Sequence, residues 1–87
     1  MNKYILFVID HLANPDKYTK AQLEDNYKTA TYCGEASKWK SYEAYRAAYR
    51  AAYCANTGGS TSVDYYLNEY FEESGENKDD YIMELTK

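Results

Sequence analysis

Between Glu43 and Ala55 the chain repeats Ala-Tyr-Arg every four residues. That spacing is close to one turn of an α-helix and sorts the segment into two faces. At about 100° per residue, Ala44, Ala47, Ala48, Ala51, Ala52 and Ala55 fall within about 140° of one another. Tyr42, Tyr45, Tyr49 and Tyr53 fall opposite, with Arg46 and Arg50 beside them. One face is all methyl groups and lets another backbone come close; the other is phenol and guanidinium. Alanine is the best helix former, so a helix from about Ser37 to Ala55 is the firmest expectation in the chain. Two such faces on one helix point to binding rather than to chemistry.

The rest of the chain reads as four further amphipathic segments. Residues 4–9 are an unbroken apolar run, which periodicity alone leaves open between helix and strand. With no second strand candidate to pair with, a first helix over Lys3–Ala13 is favoured; the alternative is an edge strand completed by a second subunit. Asn14-Pro15-Asp16 punctuates the chain: Asn14 suits an N-cap, Pro15 a first helical position, and proline also stops what precedes it. Thr19 and Gln22 have capping-box spacing, so a second helix runs from about Lys20 to about Cys33, with Leu23, Tyr27, Ala30 and Gly34 inward. A break or kink is expected near Gly34–Ser37. Asn56-Thr-Gly-Gly-Ser60 ends the third helix. A fourth starts near Thr61 or Ser62, with Asp64 in capping position, buries Val63, Tyr66, Leu67, Tyr70, Phe71 and Ser74, and stops at Gly75. Asn77 caps a last helix, Lys78 to Thr86, with Tyr81, Ile82 and Leu85 inward. The predicted fold is all-α, a small bundle of four to five short helices joined by short loops.

A chain of 87 residues makes one domain, 1–87, marginal in stability unless it packs well or associates. Ile, Leu and Val are sparse beyond the first dozen residues, whereas Tyr occurs 12 times. A thin core of Tyr and Ala is expected, with hydroxyls at its rim, and a homo-oligomer is the expected way to cover more of it. Residues 1–63 hold eight Lys/Arg against six Asp/Glu, while residues 64–87 hold two against eight, so the net charge of −4 is concentrated at one end. Cys33 and Cys54 match no zinc or redox spacing, no segment has the pattern of a signal peptide or the length of a membrane span, and a cytoplasmic protein with reduced thiols is expected.

Three readings of the Tyr/Arg face stand side by side. Its rings pack into the core with the arginine stems along the edge; or the alanine face packs inside and the Tyr/Arg face is an exposed patch of the residue types enriched at protein–protein hot spots; or Trp39, with Lys38, Lys40, Arg46 and Arg50, interleaves cations and rings to bind RNA or single-stranded nucleic acid. The candidate partner-binding residues are Trp39, Tyr42, Tyr45, Arg46, Tyr49, Arg50 and Tyr53. A second candidate is the acidic surface of Asp64, Glu69, Glu72, Glu73 and Glu76, read either as a solvated face or as an imitation of a phosphate array. Catalysis finds no motif: His11 is the only histidine, beside Asp10 but not facing it on a helix, and no phosphate loop, glycine fingerprint or serine elbow occurs. No cofactor or metal site is expected, and the chain is taken as non-enzymatic.

Asn14-Pro-Asp-Lys-Tyr-Thr-Lys-Ala-Gln-Leu23 and Asn68-Glu-Tyr-Phe-Glu-Glu-Ser-Gly-Glu-Asn-Lys-Asp-Asp-Tyr-Ile82, with the Ala/Tyr repeat between them, resemble small helical accessory proteins of unassigned function from tailed bacteriophages. The resemblance implies a bacterial host and a partner that is a host or defence protein, inhibited or modulated by stoichiometric binding. It carries no catalytic residue, and the repeat has more Tyr and Arg than that group's Ala/Asp pattern.

Overall fold

The chain enters α1 (Lys3–Ala13) through Asn2, whose side-chain oxygen accepts from the backbone N–H groups of Tyr4 and Ile5. This is the N-cap arrangement that satisfies orphan donors of a first turn. In this computed structural model, which describes residues 2–32, 42–58 and 60–87, α1 is followed by α2 (Lys20–Tyr32), α3 (Tyr42–Thr57), α4 (Ser60–Ser74) and α5 (Lys78–Leu85). The described residues form five helices and no strand, so the apolar run 4–9 is helical. None of the described helices is long and apolar enough to cross a membrane.

Most boundaries follow local chemistry. Thr19 and Gln22 form the reciprocal capping box: the Thr19 N–H donates to Gln22 Oε1 at 2.8 Å and the Gln22 N–H to Thr19 Oγ1 at 3.2 Å. Gly75 ends α4 with φ +75°, its N–H donating to the Phe71 carbonyl at 3.0 Å, a conformation that costs a Cβ-bearing residue free energy. Asn77 caps α5 by accepting from the Asp79 N–H at 2.9 Å.

Other boundaries differ from expectation. Asn14 is the C-cap of α1 rather than an N-cap, and its carbonyl accepts from the Lys17 N–H to close a turn around Pro15; proline ends α1 here instead of starting α2. The fourth helix begins at Ser60, which leaves Asp64 beyond its first turn, and the fifth ends at Leu85 with Thr86 as its C-cap. Ile82 is 43% exposed, not inward; among the described residues α5 has α1 as its broad neighbour, and Tyr81 alone is fully buried along it. The expected start of the third helix at Ser37, and the break near Gly34–Ser37, lie outside the described residues.

At about 24 Å for 16 residues, α3 runs through most of a body 32 × 27 × 22 Å across. It packs on α1, α2 and α4. All six alanines of its methyl face are buried, against Ile5, Val8 and Ile9 of α1 and Val63, Leu67 and Tyr70 of α4 within one core cluster. Among the described residues the core therefore combines alanine and aliphatic side chains with Tyr4, Tyr70 and Tyr81, and none of the tyrosines of α3 is buried. Small residues on the central helix leave room for large ones on its neighbours, which keeps the interior close-packed.

Candidate functional site

With its methyl face committed to the core, α3 turns its phenols and guanidiniums outward. Tyr42 is 62% exposed and Tyr53 48%, while Tyr45, Arg46, Tyr49 and Arg50 are half-buried. The rings of Tyr42, Tyr45 and Tyr49 form a run, with centroids 6.2 and 5.5 Å apart along it. Spacings within 7 Å are the range in which tilted aromatic pairs attract. Tyr42–Tyr49 is thus a preformed aromatic strip, with Arg46 beside it. Trp39, expected to extend this face, lies outside the described residues, as do Lys38 and Lys40.

Further along α3 the face opens into a groove of about 480 Å³ lined by Tyr27 of α2, Tyr49, Arg50, Tyr53 and Cys54 of α3, and Tyr66 of α4. Tyr27 and Tyr53 meet edge to face at 5.0 Å. Arg50 lies over the Tyr66 ring, 5.7 Å from its centroid, and donates from Nη1 to the Tyr66 hydroxyl at 3.4 Å. Hydrogen bonding to Tyr49, and then to Tyr66, holds the guanidinium above its ordinary pKa. Among the described residues Arg50 has no carboxylate partner. Burial pushes the Cys54 thiol up, with Arg50 opposing, which favours the thiol over the thiolate.

The acidic candidates do not form one outward array. Asp64, Glu72 and Glu73 are exposed and Glu69 is half-buried. Glu76 is turned inward, which corrects its assignment to the surface. Its carboxylate accepts from the Tyr70 hydroxyl at 3.0 Å and, through a short hydrogen bond, from the Tyr81 hydroxyl. The Tyr81 oxygen in turn accepts from the Asn2 backbone N–H at 2.8 Å. Burial, the largest cause in both, pushes the Tyr70 phenol up to about 12 and raises Tyr81 further. Sequence spacing could not reveal this cluster, because its members come from both ends of the chain.

A second polar cluster surrounds Asp10, which is buried on the side of α1. Lys17 Nζ donates to Asp10 Oδ2 at 2.7 Å, Asn14 Nδ2 to Oδ1 at 2.9 Å, and the Tyr18 hydroxyl makes a short hydrogen bond to Oδ2. The bond from Lys17 first, then that from Tyr18, holds the Asp10 carboxyl below its ordinary value despite its burial. The Tyr18 ring stacks on Phe7 at 4.2 Å, so the turn after α1 is folded back onto the helix. The neighbouring His11 is half-buried, with its Nδ1 enclosed and without a hydrogen-bond partner among the described residues.

Of the sequence-predicted contact residues, the structure brings together Tyr42, Tyr45, Arg46, Tyr49, Arg50 and Tyr53. Tyr27, Tyr66 and Cys54 complete the groove and were missed. Tyr27 and Tyr66 had been read only as inward stripe residues of their own helices; that they flank the same stretch of α3 depends on packing. Among the described residues no group of three His, Cys, Asp or Glu side chains is placed to hold a metal ion. No protein-family model, curated protein or solved structure matches the chain.

Proposed function

We propose that the protein is a non-enzymatic binding factor that occludes a surface of a macromolecular partner with the outer face of α3. One observation carries this reading: α3 satisfies the core through alanine alone and leaves a run of phenols and two guanidiniums on the outside. Tyrosine and arginine supply large contact areas and dominate binding energy when a partner covers them. The bacteriophage resemblance suggests the setting, a small accessory factor that binds a bacterial host or defence protein in its cytoplasm.

The test is capture of partners from bacterial lysate by tagged protein, with and without nuclease. Arg46→Ala combined with Tyr49→Ala abolishes capture of a stoichiometric protein while circular dichroism keeps the helical signal. An unfolded double variant would place those side chains in the core and remove the reason for the reading. The interleaving of Arg46 and Arg50 with rings favours one alternative, single-stranded nucleic acid, for which recovery would depend on nuclease and fall steeply with salt.

A further inference from the structure

Two surfaces of the described residues are chemically opposite. The groove between α2, α3 and α4 is walled by phenols and holds Arg50, whose only partners among the described residues are phenol oxygens and a ring. On α5, Tyr81 faces inward and the other side carries Met83, 65% exposed, and Ile82, 43% exposed. Asp79 and Asp80 precede Met83 by four and three residues, and both are exposed. On a helix those offsets put the two carboxylates on either side of Met83. Nothing on α5 lines the groove of its own chain.

We propose that this groove receives α5 of a second copy, with Met83 entering among Tyr27, Tyr53 and Tyr66 and with Asp79 or Asp80 taking the free donors of Arg50. A thioether is a favourable neighbour for aromatic rings, and a guanidinium takes a carboxylate through two parallel hydrogen bonds. The groove contains one fixed cation, which matches one carboxylate and is too little to track a polyanionic strand. The contact is heterologous: every copy keeps a free groove at one end and a free α5 at the other, so association propagates unless it closes into a ring. The inference rests on the outer face of α3 being a binding face and supplies its regulation, because the docked helix covers Tyr49, Arg50 and Tyr53 and competes with any other partner.

Sedimentation equilibrium and light scattering on the full chain test it. The average mass rises with protein concentration and falls with added salt, as screened charge pairs require. Arg50→Asp holds the chain monomeric, and so does Asp79→Arg combined with Asp80→Arg. An equimolar mixture of the two charge-reversed proteins recovers the association, since each now offers what the other lacks. In a Cys33→Ser background, Met83→Cys forms an intermolecular disulfide with Cys54 on mild oxidation, which gives a readout at an exposed position should an Arg50 variant fail to fold. A wild-type chain that stays monomeric throughout, or a mixture that stays monomeric while both variants are folded, overturns the proposal. Either result leaves the α3 face open to a foreign partner, whereas a wild-type chain that self-associates but captures no stoichiometric partner would overturn that reading alone.

Discussion

Asp10 shows how one side chain can organise a turn. Buried on α1, it collects donors from Asn14, Lys17 and Tyr18, all in the segment that follows the helix. Those donors favour the carboxylate, so its pKa lies below the ordinary 3.8. An unfolded chain binds a proton here at higher pH than the folded one. The stability from this group is therefore complete above about pH 4, the unfolded value, and is lost as pH falls through the lower folded value. Asp10→Asn lowers the urea midpoint at neutral pH and flattens the loss of stability on acidification. Equal acid sensitivity in the two proteins would show that the cluster contributes nothing to the linkage. The sequence placed Asp10 only as a neighbour of His11; its partners became visible once Pro15 was seen to reverse the chain rather than to start a helix.

At the level of the element, α3 was legible in its period and ambiguous in its orientation. Four-residue spacing fixed which residues share a face, but methyl and phenol stripes are each able to line a core. The structure resolves the choice through volume: Val63, Leu67 and Tyr70 of α4 and Ile5 and Val8 of α1 bring the bulk, and only alanine leaves space for them. Ala48→Leu forces extra methylenes into that closed interface and destabilises the fold by about 1–3 kcal/mol. Tyr42→Ala, on the exposed side, changes stability by no more than about 0.5 kcal/mol. Denaturant unfolding of the two variants checks both values, and a reversed order would mean that the faces had been assigned the wrong way round. The inward stripe of α4 was legible for the same reason as α3's faces, with Val63, Leu67, Tyr70 and Ser74 buried and Tyr66 and Phe71 half-buried, whereas along α2 Ala30 is buried, Leu23 and Tyr27 are half-buried and Gly34 lies outside the described residues. The stripe of α5 was not legible: eight residues with one broad neighbour bury little, and Ile82 falls outside the contact.

For the whole molecule, the cluster of Asn2, Tyr70, Glu76 and Tyr81 joins the start of the chain to its end. Without it α5 would hold to the body through its contact with α1 and the Tyr81 ring, which meets Phe71 of α4 at 5.4 Å. Glu76→Gln leaves one of two phenol donors without an acceptor, a cost of about 1–3 kcal/mol. Amide exchange reads where that cost falls: protection drops in α5 and the first turn of α1 while α3 and α4 keep theirs. A uniform loss of protection would instead make the cluster part of a single cooperative unit. Contacts between residues 79 positions apart leave no trace in local periodicity, which is why Glu76 read as one more surface acid. The groove was hidden for a related reason, since three helices contribute to it.

The division of labour on α3 also sets how this protein can change over generations. Substitutions at its alanines are screened by the fold before any partner is met. On the proposed function, those at Tyr42, Tyr45, Arg46, Tyr49, Arg50 and Tyr53 are screened mainly by what the protein binds. Recognition can therefore drift, or be diversified in a library, on a backbone that stays the same, and a lineage pressed by a changing target would alter one side of a single helix first.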